Sequence, residues 1–237
     1  MSKVLNFHKT GSSPLEFRSK AANAEIDIFG PIGDSWFEDS VTLKGFREEM
    51  KKLPENTKNI TVNINSPGGD VFTGIAIYNL LKQHPAKITV KVQALAASIA
   101  SIIALAGDEV EMAEGSLFMI HLPMTFGFGN RKEFDSTIDR LLDVEEQLIS
   151  IYVKKTKKTR AEIKSMLEKE TWLDSAEAVE QGFADKNQEE AMPIAASVLS
   201  KATWLNKIPA GIKTRDMAAR KEATDLKNRI KTFIARK

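Results

Sequence analysis

Short apolar runs and longer amphipathic ones alternate along this chain, and their two periods place its elements. Glu25, Ile26, Asp27, Ile28 and Phe29 alternate polar with apolar as a half-buried strand does, and Gly30 and Pro31 stop it. From about Asp39 to Leu53 the spacing of Val41, Leu43, Phe46 and Met50 predicts a helix. Ile60 to Asn65 is rich in β-branched residues and ends in Ser66, Pro67, Gly68 and Gly69, after which Val71, Ile75, Tyr78 and Leu81 mark a helix up to His84 and Pro85. Ile88 to Gln93 reads as another strand. The Ala-rich segment 96–106 that follows is apolar on every side, which predicts a buried helix capped by Gly107. Val110 to Ala113 and Leu117 to His121 complete the strands. Strand, helix, strand, helix, strand in succession implies an α/β fold with mainly parallel pairing and right-handed crossovers.

Beyond this body the pattern changes. From Lys132 to about Lys155, Phe134, Ile138, Leu141, Glu145, Leu148 and Tyr152 trace one face of a helix of some 24 residues, a rod of roughly 36 Å at 1.5 Å per residue. Such a rod overhangs a domain of this size. Burying both it and the Gly-rich strip Thr125, Phe126, Gly127, Phe128 and Gly129 is simplest against another copy of the chain, so a homo-oligomer is expected. Arg160 to Glu168 is a short helix, and Asp174, Ser175, Ala176 and Glu177 form a capping box that opens another, ending at Gly182. Residues 1–23 show neither period and read as a loose N-terminal arm ahead of a domain over 24–188.

Charge separates the remaining segment, 189–237. From Glu190 onward eleven Lys or Arg face four Asp or Glu, a surplus of seven that leaves the body acidic within a net charge of +2. Ala219, Ala223, Leu226, Ile230 and Phe233 form a heptad-like stripe on this basic, partly helical tail, which suits targeting or self-association. The 42% hydrophobic content of the 237 residues supports a real core. With no cysteine, thiol nucleophiles, disulfides and thiolate metal sites are excluded. No apolar stretch approaches the roughly 20 residues that cross a bilayer, and the start has no signal-peptide core, so a soluble cytoplasmic protein is expected.

Two side chains carry the candidate chemistry. Ser98 lies in the run Leu95, Ala96, Ala97, Ser98, Ile99, Ala100, where only small or apolar neighbours surround a hydroxyl, and His121 follows Phe118, Met119 and Ile120 in the same way. His8 lies in an unpatterned stretch and His84 at a helix end, which leaves His121 as the histidine to act as a base. Ser98 stands in the first turn after a strand, where its hydroxyl can face a cleft and the N–H of Ile99 an oxyanion; Ser101 is better read as returning its hydroxyl to a carbonyl one turn back. In Asn65, Ser66, Pro67, Gly68, Gly69 and Asp70, two glycines leaving a strand let N–H groups turn toward a bound carbonyl, half of an oxyanion hole. The imidazole needs an acceptor for its second nitrogen, and Glu170 is the candidate, since Asp174 is explained as a helix cap and Asp135 and Asp139 face outward. Each feature alone has a plainer reading: a turn that needs glycine for its dihedrals, a back-bonded serine, a satisfied core imidazole, a solvated carboxylate. Their coincidence around one cleft favours a site.

At these residues the chain resembles the Clp-type serine peptidases, the proteolytic subunits of ATP-dependent protease machines. The matching pieces are Asn65 to Asp70, Ala96 to Ala100, Met119 to Pro123, the long helix after its Gly-rich strip, and Trp172 to Asp185, within roughly residues 24–188. Within that family it is most similar to the Clp-related head maturation proteases of phages and prophages, through Trp172 and Leu173 after the acidic residue and the segment Trp36 to Arg47. The resemblance implies a spiral of βαβ units shared with crotonases, with a protruding handle made by the long helix and a strand. It also implies rings, heptameric or stacked, that enclose a chamber. Substrate would lie extended between Gly68, Gly69, Asp70, Val71 and Phe72 on one side and Leu122, Pro123 and Met124 on the other.

The expected activity is therefore endopeptidase cleavage without metal, nucleotide or other cofactor, in which Ser98 attacks, His121 relays the proton, Glu170 orients it, and Gly69 and Ile99 hold the oxyanion. The expected location is the host cytoplasm or procapsid, with a polypeptide substrate and capsid or scaffold proteins as partners, and neither membrane nor nucleic acid. Two other classes stay open: a crotonase-type acyl-CoA enzyme, which needs no serine and histidine pair, and a non-catalytic ring-forming assembly protein. Within peptidases, a Clp subunit working with an unfoldase ATPase is the other reading. In the housekeeping enzymes the third triad member is aspartate, whereas Glu170 is one methylene longer.

Overall fold

Alternation along the strands builds one mixed sheet and decides which of its faces is covered. The structure is a computed structural model, and it describes residues 13–34 and 39–187. β2 (Asn23–Phe29), β3 (Asn59–Ser66), β4 (Lys87–Ala97) and β5 (Glu109–Met112) run parallel in that order. They send Ile26, Ile28, Ile60, Val62, Ile64, Ile88, Val90, Val92, Val110 and Met112 into one buried core. Residues between them point to the other face, where Arg18 pairs with Asp27 and Asn63 donates to Glu25 and Asp27. Parallel sheets are usually covered on both sides; here α1 (Leu43–Met50), α2 (Val71–Gln83) and α3 (Ile99–Ala104) pack on the apolar side, and the opposite face is polar. This is the α/β arrangement that the succession of patterns predicted.

Several elements differ from their predicted extents. The stretch read as a loose arm contains β1 (Leu15–Lys20), an antiparallel edge strand on β2; with only Leu15 and Phe17 apolar, it is too short to announce a period. The helix expected from Asp39 begins at Leu43, because Val41 is drawn into an isolated bridge with Ile32 and Thr42 caps the helix through Gly45 N–H. The segment 96–106 divides: Ala96 and Ala97 finish β4, and the helix occupies only Ile99–Ala104. Uniform apolarity carries no period, so a buried strand and a buried helix read alike there.

The division has a cause in pairing. β4 lies beside β5 as far as Val92 and then beside β6 (Leu117–Ile120), with Leu95, Ala96 and Ala97 opposite Leu117, Phe118 and Met119. β6 in turn pairs antiparallel with β7 (Thr171–Asp174), a strand the patterns did not mark, whose last residue caps α6 (Ser175–Glu180) in the expected box with Glu177. β8 (Lys186–Asn187) adds to β5.

α4 (Arg131–Thr156) is capped by an Asn130–Glu133 box and runs 26 residues, roughly 39 Å at 1.5 Å per residue. Its second half buries Leu148, Ile149 and Tyr152, while Phe134, Ile138 and Leu142 in the first half, and Phe126 and Phe128 before it, stand exposed. The overhang deduced from the stripe is therefore present. α5 (Arg160–Glu168) matches its predicted bounds. The basic tail, Trp36 and the first twelve residues lie outside the described residues. Among the described residues no helix is long and apolar enough to cross a membrane.

Neighbours on β3 give a check of the two faces. Ile60→Ala, on the core side, should cost about 2–5 kcal/mol, whereas Thr61→Ala on the polar side should stay within roughly 0.5 kcal/mol. Urea unfolding monitored by circular dichroism would compare them, and equal losses would refute the assignment of faces.

Candidate active site

Ser98 joins β4 to α3 with φ 54° and ψ −128°, a conformation that few non-glycine residues adopt. Such strain costs about 1–3 kcal/mol and persists only where surroundings over-determine it. They do so here. Ser98 N–H donates to Met119 O (2.9 Å), continuing the β4–β6 ladder, and Ser98 O accepts from Ser101 N–H (3.0 Å). A Cβ on Gly68 would sit 2.7 Å from both Ala97 O and Ser98 Cβ, and Gly68 itself has φ +93°, so only glycine fits beneath the turn. The sharp strand-to-helix turn carries the hydroxyl outward, as in a nucleophile elbow.

The hydroxyl meets the imidazole of His121. His121 follows the last residue of β6, and its Nε2 lies 2.8 Å from Ser98 Oγ. With Nε2 on the serine, Nδ1 is the nitrogen left to be oriented. Ile120 faces Thr171 across the β6–β7 ladder, so one step further along the same register His121 and Glu170 stand at facing strand ends. Trp172 Nε1 donates to Glu170 Oε1 (3.4 Å), and Glu170 has φ 51°, the left-handed position after a helix that glycine usually fills.

Gly69 and Ile99 line the same cavity as Ser98. Gly69 is held from behind by the parallel bridge to Ile32, in which Ile32 N–H donates to Gly68 O (2.9 Å) and Asp70 N–H to Ile32 O (2.8 Å). A Cβ on Gly69 would fall 2.0 Å from Ile32 O, so this approach too requires glycine. Among the described residues, neither Gly69 N–H nor Ile99 N–H has a backbone acceptor. The Gly30–Pro31 stop thus hides a function: the chain just past it braces the glycine loop.

A cavity of about 70 Å³ opens beside the pair, and Gly69, Val71, Ser98, Ile99, His121, Pro123 and Met124 line it. Ile102, Leu148 and Tyr152 also line it and were not foreseen; they had been absorbed into core patterns, although a phenol within an apolar stripe was a usable signal. The other expected contacts take different places. Gly68 is buried under the turn, Phe72 points outward at 69% exposure, and Leu122 packs against the core. Asp70 caps α2 by accepting from Thr73 N–H (2.7 Å), and its own N–H is engaged by Ile32, so it offers a substrate strand no donor. A broader depression of about 720 Å³ lies on the polar sheet face, lined by Arg18, Glu25, Asp27, Asn63 and Lys91 among others, away from the serine and histidine.

The Ser98–His121 contact is one in which an imidazole can take a proton from a hydroxyl. Comparison with known proteins gives the same direction. The Clp protease family pattern matches residues 44–190. The chain is 34% identical over 139 residues to ATP-dependent Clp protease proteolytic subunit 1 of Protochlamydia amoebophila, covering 57% of this chain and 68% of the relative. It is 30% identical over 168 residues to the ATP-dependent Clp protease proteolytic subunit of Streptococcus mutans, covering 69% and 84%. By pattern, relatives and α/β architecture, this chain belongs to the Clp protease family.

Proposed function

We propose that this protein is a serine endopeptidase that cleaves extended polypeptide through Ser98, His121 and Glu170. The observation that carries the reading is the 2.8 Å contact between Ser98 Oγ and His121 Nε2 at a strained strand-to-helix turn. As the hydroxyl attacks the scissile carbonyl, His121 Nε2 takes its proton and then returns it to the leaving amine; water repeats the sequence on the acyl-enzyme. Negative charge on the tetrahedral carbon's oxygen falls to the N–H groups of Gly69 and Ile99. Glu170 holds the imidazole tautomer. A non-glycine residue at φ 51° supports this role, since the backbone bears strain to keep a carboxylate at that strand end. Glu170 is one methylene longer than aspartate, and Trp172 Nε1 donates to its Oε1 from the start of β7.

Assembly follows from the uncovered apolar surface. Phe126, Phe128, Phe134, Ile138 and Leu142 are exposed along the strip and the first half of α4, and a second copy would bury them in a ring or between rings. Glu170, Trp172 and Leu173, together with the basic tail, favour the head-maturation branch of phages and prophages, with capsid or scaffold protein as substrate. In that case unfolded or scaffold protein is cleaved without ATP. A Clp subunit fed by an unfoldase would instead need the ATPase for folded substrates. A crotonase-type enzyme would bind CoA thioesters, which this reading does not expect.

Ser98→Ala and His121→Ala should each abolish hydrolysis of a fluorogenic peptide and labelling by a fluorophosphonate; label retained in the serine variant would remove Ser98 from the mechanism. Glu170→Gln should lower kcat by roughly 10²–10⁴ if it orients the imidazole, and an unchanged kcat would place that role elsewhere. Gly68→Ala should fold with lowered stability and lose acylation, because its methyl displaces Ser98; wild-type labelling rates would contradict the packing described.

A further inference from the structure

Tyr152 places a phenol at the bottom of the site, and neither the triad nor the oxyanion donors account for it. Its ring is fully buried, 6.0 Å from that of Phe183, in a helix whose other buried residues are mostly aliphatic. Its hydroxyl lies 2.6 Å from Ser101 Oγ, and Ser101 Oγ donates to Ser98 O at 2.5 Å. Each hydroxyl has one proton, and a carbonyl can only accept. The Ser101 proton is therefore spent on Ser98 O, and Tyr152 must be the donor to Ser101. The chain of bonds runs in one direction, from phenol to hydroxyl to carbonyl.

That carbonyl belongs to the same peptide unit as Ile99 N–H. A trans peptide is planar, so its C=O and N–H point opposite ways. Ser98 O is drawn into α3 by Ser101 N–H and Ser101 Oγ together, which turns Ile99 N–H out toward the cavity beside Ser98. Hydrogen bonds in series polarise one another, and this series ends on the peptide whose N–H faces the developing charge.

We propose that Tyr152 and Ser101 are positioning residues that aim and polarise the Ser98–Ile99 peptide, so that Ile99 N–H is set for the oxyanion before substrate arrives. The proposal rests on the serine-peptidase reading above. Ser101 is the back-bonded serine expected from sequence, but its bond acts on the nucleophile's own carbonyl rather than merely satisfying a side chain. Burial pushes the Tyr152 phenol's pKa well above its ordinary value, so it stays protonated and remains a donor wherever the enzyme works. Tyr152 reaches this point from the second half of α4, the long helix whose first half overhangs the domain.

The test uses the full-length assembled protein and the variants Tyr152→Phe, Ser101→Ala, Ser101→Thr and the double variant Tyr152→Phe/Ser101→Ala. Removing an oxyanion donor outright costs about 10²–10³ in kcat, so loosening one should cost about 10-fold. Tyr152→Phe and Ser101→Ala should each lower kcat by about that factor with KM within about twofold, and Ser101→Thr, which keeps the hydroxyl, should recover most of the loss. A peptide aldehyde, whose adduct carries the tetrahedral oxygen, should bind weaker by the same factor, while a product-like peptide acid binds as before. The double variant should be little worse than either single one, because both cut the same chain. Unchanged kcat in both single variants, or a fall in kcat with unaltered aldehyde affinity, would overturn the proposal, as would a loss that tracks melting temperature across the set. Fluorophosphonate labelling of the parent separates the two levels: a parent unlabelled at Ser98 defeats the serine reading, whereas a labelled parent with unaffected variants defeats only the role of Tyr152 and Ser101.

Discussion

The peptide unit at the end of β4 is the constraint on which the site depends. Ser98 can send its hydroxyl to His121 only if its backbone takes φ 54° and ψ −128°, and every contact around it enforces that choice. Its N–H stays in the ladder with Met119, its carbonyl turns into α3, and Gly68 leaves the space below. The strain of about 1–3 kcal/mol is offset by these fixed bonds and by the core beneath. A relaxed backbone would aim the hydroxyl elsewhere.

Sheet topology brings the partners to that point. β4 exchanges β5 for β6 after Val92, so its last residues run alongside the strand that ends at His121. The antiparallel pair β6–β7 then brings the backbone of Glu170, the residue before β7, opposite that of His121, the residue after β6. β4 and β6 end at this edge and the antiparallel β7 begins there, so Ser98, His121 and Glu170 follow or precede three neighbouring strands at one side of the sheet. Rigid strands make better supports for such a constellation than loops do, since their ends are held by ladders and by the apolar core. The glycine loop completes the cleft from the opposite side, braced by Ile32.

Much of this was legible in local pattern. Ile26 and Ile28, or Ile60, Val62 and Ile64, declare a half-buried strand because burial follows the pleat, residue by residue. Ser98 and His121 stood out because a polar group among apolar neighbours needs a reason. Asp174 and Glu177 announced their cap through a spacing of three. Less was visible where the signal is not periodic: β1 offers two apolar residues, β7 offers Trp172 and Leu173 alone, and the junction at Ser98 is apolar on both sides of the boundary.

The amino-acid order alone could name the half-buried strands, the long amphipathic rod and the side chains able to do chemistry, because each of these depends on neighbours a few positions away. It could not supply the register of Ala97 with Met119 or of Ile120 with Thr171, the left-handed turn at Ser98, or the reach of Tyr152 to Ser101. Those arise from hydrogen bonds and packing between residues far apart in the chain, whose energies exist only once the sheet has closed and α4 has docked.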